Sequence, residues 1–204
     1  MGLITTSTST LIYSGPIPDL LPMTDRAPGI HISHIIHDLA LRLGYYKDNG
    51  GDMPWSKMAL GSALEHAIAM RLMLHEPGRY YREWDDEHGY WKNGMALERD
   101  GVHMNLDLLD LHDWAVEDVK LTWLSSSHDP DGPKFNKWWW QVMGYSYGVG
   151  AEIGRIRVGH VRGDYKNNEV DYHVWERRFV PGELERNWTM LMKHKQIMEK
   201  EGKL

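Results

Sequence analysis

Two closely spaced segments with strand-like composition, residues 102–109 and 114–123, constrain the fold of this chain more than any other feature. Only a short turn separates them, so they are predicted to be neighbouring strands of one sheet. Helical patterns flank this pair, and a second pair of strand-like segments follows at 152–161 and 169–178. The element order α, α, β, β, α, β, β, α predicts an α/β fold in which helices flank a central mixed β-sheet.

Four helices are predicted from apolar residues that recur every three or four positions. They cover residues 33–43, 56–74, 136–148 and 181–202. Ser33 and Ser56 are predicted to cap the first two helices, and Pro181 is tolerated in the first turn of the last one. The core-facing stripes of the first two helices are expected to contain Ile35, Ile36, Leu39, Ala40, Leu43, Leu60, Leu64, Ile68 and Leu72. Residues 1–30, which hold four of the nine prolines, are predicted to form an extended or mobile arm.

Composition narrows the class of protein. The 204 residues suit a single domain that buries a sizeable core. The absence of cysteine excludes disulfides, cysteine-ligated zinc and iron–sulfur clusters, and it fits a reducing cytosol. No apolar run approaches the length of a membrane span, and the first residues lack the pattern of a secretory signal, so a cytoplasmic protein is expected. A net charge of −6 counts against a DNA-coating protein, but not against a site that gathers acids around a metal ion.

Asp107, Asp118 and Lys120 form the candidate site at the centre of the sequence. Because strand side chains alternate between faces, Asp118 and Lys120 point the same way. Glu117 and Val119 point the other way, while Asp107 on the preceding strand can reach the Asp118 side. Two neighbouring carboxylates repel each other, and Mg²⁺ or Mn²⁺ relieves that repulsion. Such a cation would acidify a bound water and neutralise phosphate charge, while Lys120 would orient the water, help deprotonate it or steady the developing charge.

Several alternatives remain open around this site. Asp110 and Asp113 compete with Asp107 for its role, because acids are frequent in this part of the chain. Gln141 and Tyr145 lie four residues apart on a predicted helix and therefore share a face, where they could hold a phosphate, a base edge or Lys120. The same helix carries a run of three tryptophans, which favours packing of much of its surface on the sheet.

Glu65 is a further candidate, because Gly61 lies one helical turn before it and leaves a bare patch through which a substrate could approach the carboxylate. His66 is its neighbour in sequence. His31, His34 and His37 are a weak candidate for a zinc site, because positions three residues apart drift around a helix, whereas zinc needs convergent ligands. His103 shares strand parity with Asp107 and could lie near the metal. Four basic residues on the second strand pair could follow a phosphate backbone or form a solvated sheet edge. They are Arg155, Arg157, Arg162 and Lys166.

Taken together, these residues resemble the PD-(D/E)XK nuclease superfamily, in particular its RecB-like and lambda-exonuclease-like branch found in phage and recombination proteins. The motifs that carry the resemblance, in the family's order, are Gly61-x-x-x-Glu65, Asp107 after a strand, Asp118-x-Lys120 and Gln141-x-x-x-Tyr145. Two departures are informative. Many RecB-like relatives carry histidine where Glu65 stands, and His66 is one place late. Several relatives also stabilise the domain with a cysteine-ligated iron–sulfur cluster. This chain has no cysteine, so such a cluster cannot form and the lambda-exonuclease side of the family is favoured. Leu106 replaces the proline of the family name.

The resemblance implies a restriction-endonuclease-like core, with residues 1–204 as one nuclease domain. It further implies that Asp107 and Asp118 are metal ligands, joined by the main-chain carbonyl of Val119. Glu65 would hold a second metal ion or a metal-bound water, with His66 as the second-rank candidate for that place.

The resemblance also assigns the remaining roles. Lys120 would be catalytic, and Gln141 and Tyr145 would line the DNA side. The expected activity is that of a Mg²⁺- or Mn²⁺-dependent DNA exonuclease of phage recombination, replication or repair, in the host cytoplasm if phage-encoded. The alternatives are a structure-specific endonuclease on the same fold, a catalytically silent DNA-binding protein and a histidine-rich metal-binding protein. A homo-oligomer and a single-strand-annealing or recombination partner protein are left open, and no membrane partner is expected.

Overall fold

The computed structural model describes residues 7–15, 29–45, 55–85, 90–91, 94–123, 125–161, 171–180 and 182–204. The helices in these ranges are α1 (Ile32–Arg42), α2 (Trp55–His75), α3 (Asn136–Val149) and α4 (Glu183–Lys200). The strands are β1 (Thr10–Gly15), β2 (Tyr80–Tyr81), β3 (Trp84–Asp85), β4 (Tyr90–Trp91), β5 (Met95–Arg99), β6 (Val102–Leu106), β7 (Leu108–Asp110), β8 (Ala115–Thr122), β9 (Ile153–His160) and β10 (Asp171–Arg178).

The central sheet has six strands in the order β1-β10-β9-β8-β7-β2. Strands β8 and β9 are parallel, and α3 forms the crossover connection that a parallel pair requires. The other neighbours in this sheet are antiparallel, which makes it a mixed sheet. The predicted α/β fold with a central mixed sheet flanked by helices is therefore confirmed. Two small two-stranded sheets, β3–β4 and β5–β6, accompany it.

The helices bury the sheet from both faces. On one face, α3 packs its Val142 and Trp139 in the main core with Val116 of β8 and Ile156 of β9. Gly154 of β9 permits this close approach, since a Cβ there would lie 2.4 Å from Val142 Cγ1. A second cluster on the other face joins α2 to β8 and β10. It contains Leu64, Ile68, Val119, Tyr172 and Val174.

The predicted strand 102–109 is in fact two strands, and this is the main correction to the expected topology. Strand β6 pairs with β5 in a small sheet, whereas β7 joins the central sheet beside β8. Asp107 is the bend between them. The break leaves Asp107 outside both ladders, so its side chain can turn toward β8.

The predicted caps of the first two helices were wrong, whereas α3 begins at Asn136 as predicted. Helix α1 begins at Ile32, because His31 has extended backbone angles and forms an isolated bridge with His103. Helix α2 begins at Trp55, so Ser56 lies inside it instead of capping it. Leu43 and Leu60 were expected in the core but are exposed, because α1 ends at Arg42 and the packed face of α2 begins further along.

The N-terminal arm is described only in part. Residues 10–15 are extended and pair with β10 as an edge strand of the central sheet. Residues 1–6 and 16–28 of the arm lie outside the described residues, as do Arg162 and Lys166. Within the ranges that the structure describes, no helix combines the length and the apolar character needed to cross a membrane.

Candidate active site

The bend at Asp107 brings its carboxylate to the middle of β8. The antiparallel register pairs Leu108 with Glu117, so one further step along it places Asp107 beside Asp118. Asp107 Oδ2 accepts a hydrogen bond from the backbone N–H of Val119 at 2.6 Å. The first acid of the candidate site is therefore held directly against the strand that carries the other two residues.

Asp118 and Lys120 project from the same side of β8, as strand parity predicted. Lys120 Nζ lies 2.9 Å from Oδ1 and 2.8 Å from Oδ2 of Asp118. The Asp118 side chain is fully buried, whereas 21% of the Lys120 side chain is exposed. The site thus opens to solvent on the lysine side, where a substrate can approach.

The charges at this point are incompletely balanced. Burial raises the pKa of Asp118 to about 7; Lys120 opposes this shift, and the negative charge of Asp107 adds to it. Burial alone would lower the pKa of Lys120, but Asp118 and Asp107 outweigh it and raise that pKa. Two carboxylates compete for one ammonium group, so the site favours an additional cation.

Glu65 reaches the same cluster from α2. Its neighbour Leu64 packs on Val119, which fixes this turn of the helix on the site strand. Glu65 Oε1 accepts a hydrogen bond from Arg82 Nη2 at 2.9 Å. Burial, followed by the negative charge of Asp107, raises the pKa of Glu65 to about 8, although Arg82 opposes the shift.

Arg82 was missed by the sequence analysis. Its side chain is fully buried, and it directly follows the short edge strand β2. The one available signal was a charged residue directly after the strand-like Tyr80–Tyr81 pair. His66 is half-buried beside it; burial and the positive charge of Arg82 lower the pKa of His66.

Helix α3 supplies a stripe of residues at four-residue spacing. Gln141 Nε2 donates a hydrogen bond to the Tyr145 hydroxyl at 2.5 Å. Tyr145 is only 3% exposed and belongs to the main core, so it positions Gln141 and does not itself line a DNA surface, contrary to the expectation. One turn earlier stands Lys137, whose pKa is lowered by burial and by the positive charge of Lys120.

Lys137 is therefore a second basic group close to the site, and it was also missed. Its spacing of four residues before Gln141 was the signal that could have found it. A half-buried lysine next to another lysine is unfavourable unless anions are near. A bound phosphate would meet that need.

The donor set fits a hard divalent cation. Among the described residues, no group of three or more His, Cys, Asp or Glu side chains is arranged to hold a metal ion. Mg²⁺, however, takes only one or two carboxylates and keeps several waters. Asp107 and Asp118 are the two carboxylates that meet this description, with the Val119 carbonyl as the third donor that the resemblance implies.

The structure moves several other candidates away from the site. Asp110 and Asp113 bind arginines in a separate group of charges on the Glu117 side of the sheet, which we call the opposite-face ion cluster. Its members are Arg79, Asp110, Asp113, Glu117, Arg155, Arg157 and Glu176. Arg155 and Arg157 are buried in this cluster, because β9 is a central strand, and they neither follow a phosphate backbone nor form a solvated edge.

The histidines do not join the site either. The His103 ring lies 5.6 Å from that of His31, which in turn lies 5.5 Å from that of His34. His103 Nδ1 is 3.9 Å from Glu98 Oε2 on the neighbouring strand. His103 therefore contacts His31 before α1 and lies near Glu98 of β5, and its expected place near the metal is not supported.

Neither a protein-family model nor a curated protein matches the sequence. Among solved structures, the chain is similar to a phage-related exonuclease from Haemophilus somnus 129PT, with 12% identity and a TM-score of 0.48, over 83% of this chain and 82% of the other. It is also similar to a protein named SSO0001, with 11% identity and a TM-score of 0.47, over 86% of this chain and 79% of the other. At these values the similarity says nothing about chemistry, which has to be inferred from the site itself.

Proposed function

We propose that this chain is a Mg²⁺- or Mn²⁺-dependent deoxyribonuclease that hydrolyses phosphodiester bonds, with an exonuclease mode as the first hypothesis. The observation that carries the proposal is the meeting of Asp107, Asp118 and Lys120 at the centre of β8. Two acids and a cation at one partly open point are the groups that metal-assisted phosphodiester hydrolysis needs.

Asp107 and Asp118 would hold the cation. Both are fixed before any ligand arrives, Asp107 by the Val119 N–H and Asp118 by its buried position in the strand. When bound, the cation supplies Lewis-acid activation of a water and neutralisation of phosphate charge. The raised pKa of Asp118 supports this assignment, because a carboxylate that burial and then a like charge push toward its neutral form gains most from a nearby cation.

Lys120 would act as a fixed positive charge at the reacting phosphate. Its ammonium is held by both oxygens of Asp118, which restricts it to one place. Because the pKa of Lys120 is raised, the protonated form is favoured. Of the roles expected for it, stabilising developing negative charge fits better than accepting a proton.

The α3 stripe would bind the substrate beside the reacting bond. Lys137 lies close enough to Lys120 to sense its charge, so it can bind the same or the adjacent phosphate. Tyr145 holds the Gln141 amide, which leaves its oxygen to contact the DNA. Phage recombination, replication or repair, with a single-strand-annealing protein as partner, is the setting that the sequence resemblance suggests.

The test is digestion of end-labelled linear duplex, single-stranded and covalently closed circular DNA with Mg²⁺, Mn²⁺ or EDTA. We expect linear DNA to be degraded with either metal, no activity in EDTA and intact circles. Cleavage of circles would assign an endonuclease instead, and DNA binding without cleavage would assign a silent binding protein. Asp118→Ala and Lys120→Ala should each abolish degradation in folded protein, and unchanged activity in both would discredit the site.

A further inference from the structure

We infer that Arg82 takes the place of a second metal ion beside Glu65, so that this site binds one divalent cation, on Asp107 and Asp118. The inference rests on the proposed function and deepens it. It departs from the family resemblance, which implied that Glu65 holds a second metal ion or its water.

The contact between Arg82 and Glu65 already satisfies the carboxylate that a second metal would need. Arg82 Nη2 lies 2.9 Å from Glu65 Oε1, and the arginine side chain is fully buried. Removing one partner of a buried ion pair leaves an uncompensated charge, which costs far more than the loss of a surface pair. A metal ion would have to displace a charge that has no route to water.

The backbone of Arg82 is also held in place. Strand β2 pairs Tyr80 with Asp110 and Tyr81 with Leu109, and Arg82 follows it directly. The Tyr80 side chain is buried in a small core with Leu108 and a residue of α2. The chain that leads into Arg82 is therefore tied to this edge of the sheet.

The charge balance points the same way. Arg82 pairs with Glu65, which leaves Asp107 and Asp118 with the single ammonium group of Lys120. One divalent cation therefore offsets the remaining negative charge and leaves this group positive toward a phosphodiester. A second cation would face this excess and the buried guanidinium directly.

The experiment counts bound Mn²⁺ without DNA, by calorimetric titration and by the electron paramagnetic resonance signal of the free ion. We expect about one ion per chain in the wild type and none in Asp118→Asn. Glu65→Gln is expected to keep about one ion with little change in affinity, because Glu65 is not a ligand. Arg82→Gln is expected to release Glu65 and raise the count to about two, whereas the matched control Arg82→Lys keeps about one.

The outcomes separate this inference from the function on which it rests. Two ions of similar affinity in the wild type, or loss of an ion in Glu65→Gln, would overturn the inference and leave the nuclease proposal standing. A folded Arg82→Gln that still binds one ion would also overturn it. No bound Mn²⁺ in the wild type would overturn both. Circular dichroism and thermal melting check folding, and Glu65→Gln gives an answer even where Arg82→Gln does not fold.

Discussion

The two sides of β8 carry adjacent buried acids in opposite electrostatic situations. Glu117 and Asp118 are both fully buried. Glu117 contacts two guanidinium groups, Arg155 Nη1 at 2.9 Å and Arg157 Nε at 2.5 Å. Among the side chains that the structure describes, Asp118 contacts only the ammonium group of Lys120, and it shares its surroundings with the carboxylate of Asp107. One acid is saturated with positive charge, whereas the other competes for it.

This difference separates a structural charge cluster from a functional one. In the opposite-face ion cluster, hydrogen bonds from Arg79 and Arg155 outweigh burial and lower the pKa of Asp110. On the other side, burial and the charge of Asp107 raise the pKa of Asp118. Buried carboxylates that have too few positively charged partners and lie close to solvent are candidates for metal binding. Their mutual repulsion does not stabilise the fold, so a functional reason for it is expected. Buried charged residues occur on both faces of β8 and do not by themselves identify the site. The excess of carboxylates over basic partners around Asp118 does.

The largest expected effect is that of Asp118→Asn on activity. The amide keeps the shape but loses the charge that would hold the cation, so we expect nuclease activity to fall by about a thousand-fold or more. Stability in EDTA at alkaline pH should be unchanged or higher, because the fold does not fully compensate this carboxylate and Lys120 can reach solvent. If Asp118→Asn retained activity near that of the wild type, the Asp118 face of β8 could not be the active site.

The matched change on the other side, Glu117→Gln, should have the opposite profile. It leaves Arg155 and Arg157 without their shared partner in a buried position. We expect a loss of about 3–5 kcal/mol in the free energy of unfolding, measured by urea titration, while the folded protein retains its activity. A loss below about 1 kcal/mol would mean that the cluster behaves like surface ion pairs, and the structural half of the comparison would fail.

Strand parity was enough to predict which of these two acids belongs with Lys120, because alternation along a strand is a local property. The helices and the mixed sheet also followed from periodicity. The break at Asp107 could not be predicted, since β5 and the central sheet compete for the same segment and only the packed fold decides. Arg82 likewise comes to Glu65 through an edge-strand pairing that the sequence does not encode locally.

Arg155 and Arg157 of the opposite-face ion cluster also show what local sequence patterns cannot predict. Arg155 and Arg157 alternate along their strand, as the exposed face of an edge strand would. Their strand, however, has neighbours on both sides, and the partner acids come from distant parts of the chain. Their spacing of two residues places both on one face of β9, but only the tertiary fold brings the acids that allow them to be buried there.

Lys137→Gln, on the Asp118 side of β8, should have a smaller effect on nuclease activity than Asp118→Asn. Because Lys137 is the second basic group near Lys120, its loss should lower kcat/KM by roughly ten-fold and reduce the salt slope of DNA binding by about 1. The matched control is Lys134→Gln, which removes the same charge from an exposed residue just before α3. Equal effects of both variants would show that Lys137 contributes only to the general electrostatic field.

The smallest expected effect concerns the pH dependence of the free energy of unfolding. Acids on the two faces of β8 should change this free energy in opposite directions as pH rises. Asp118 and Glu65 have folded pKa values raised to about 7 and about 8, above their unfolded values of about 4. The folded state then holds protons that the unfolded state has lost, so these groups reduce stability as pH rises through that window. Hydrogen bonds from Arg155 and His112 lower the pKa of Asp113 to about 2, so its stabilisation is lost only as pH falls toward that value.

Urea titrations of the metal-free protein between about pH 5 and pH 8 should therefore show Asp118→Asn gaining on the wild type as pH rises, by at most about 1.4 kcal/mol per pH unit. Saturating Mn²⁺ should stabilise the wild type most at the alkaline end, because binding favours the ionised carboxylates. Asp113→Asn, the control on the opposite face, should be less stable than the wild type by a constant amount over this range and approach it only in acid, where the wild type loses the stabilisation from Asp113. If the difference in the free energy of unfolding between Asp118→Asn and the wild type did not change with pH, the Asp118 carboxylate would be as well paired as those around Arg155. The contrast between the two faces of β8 would then no longer identify the site.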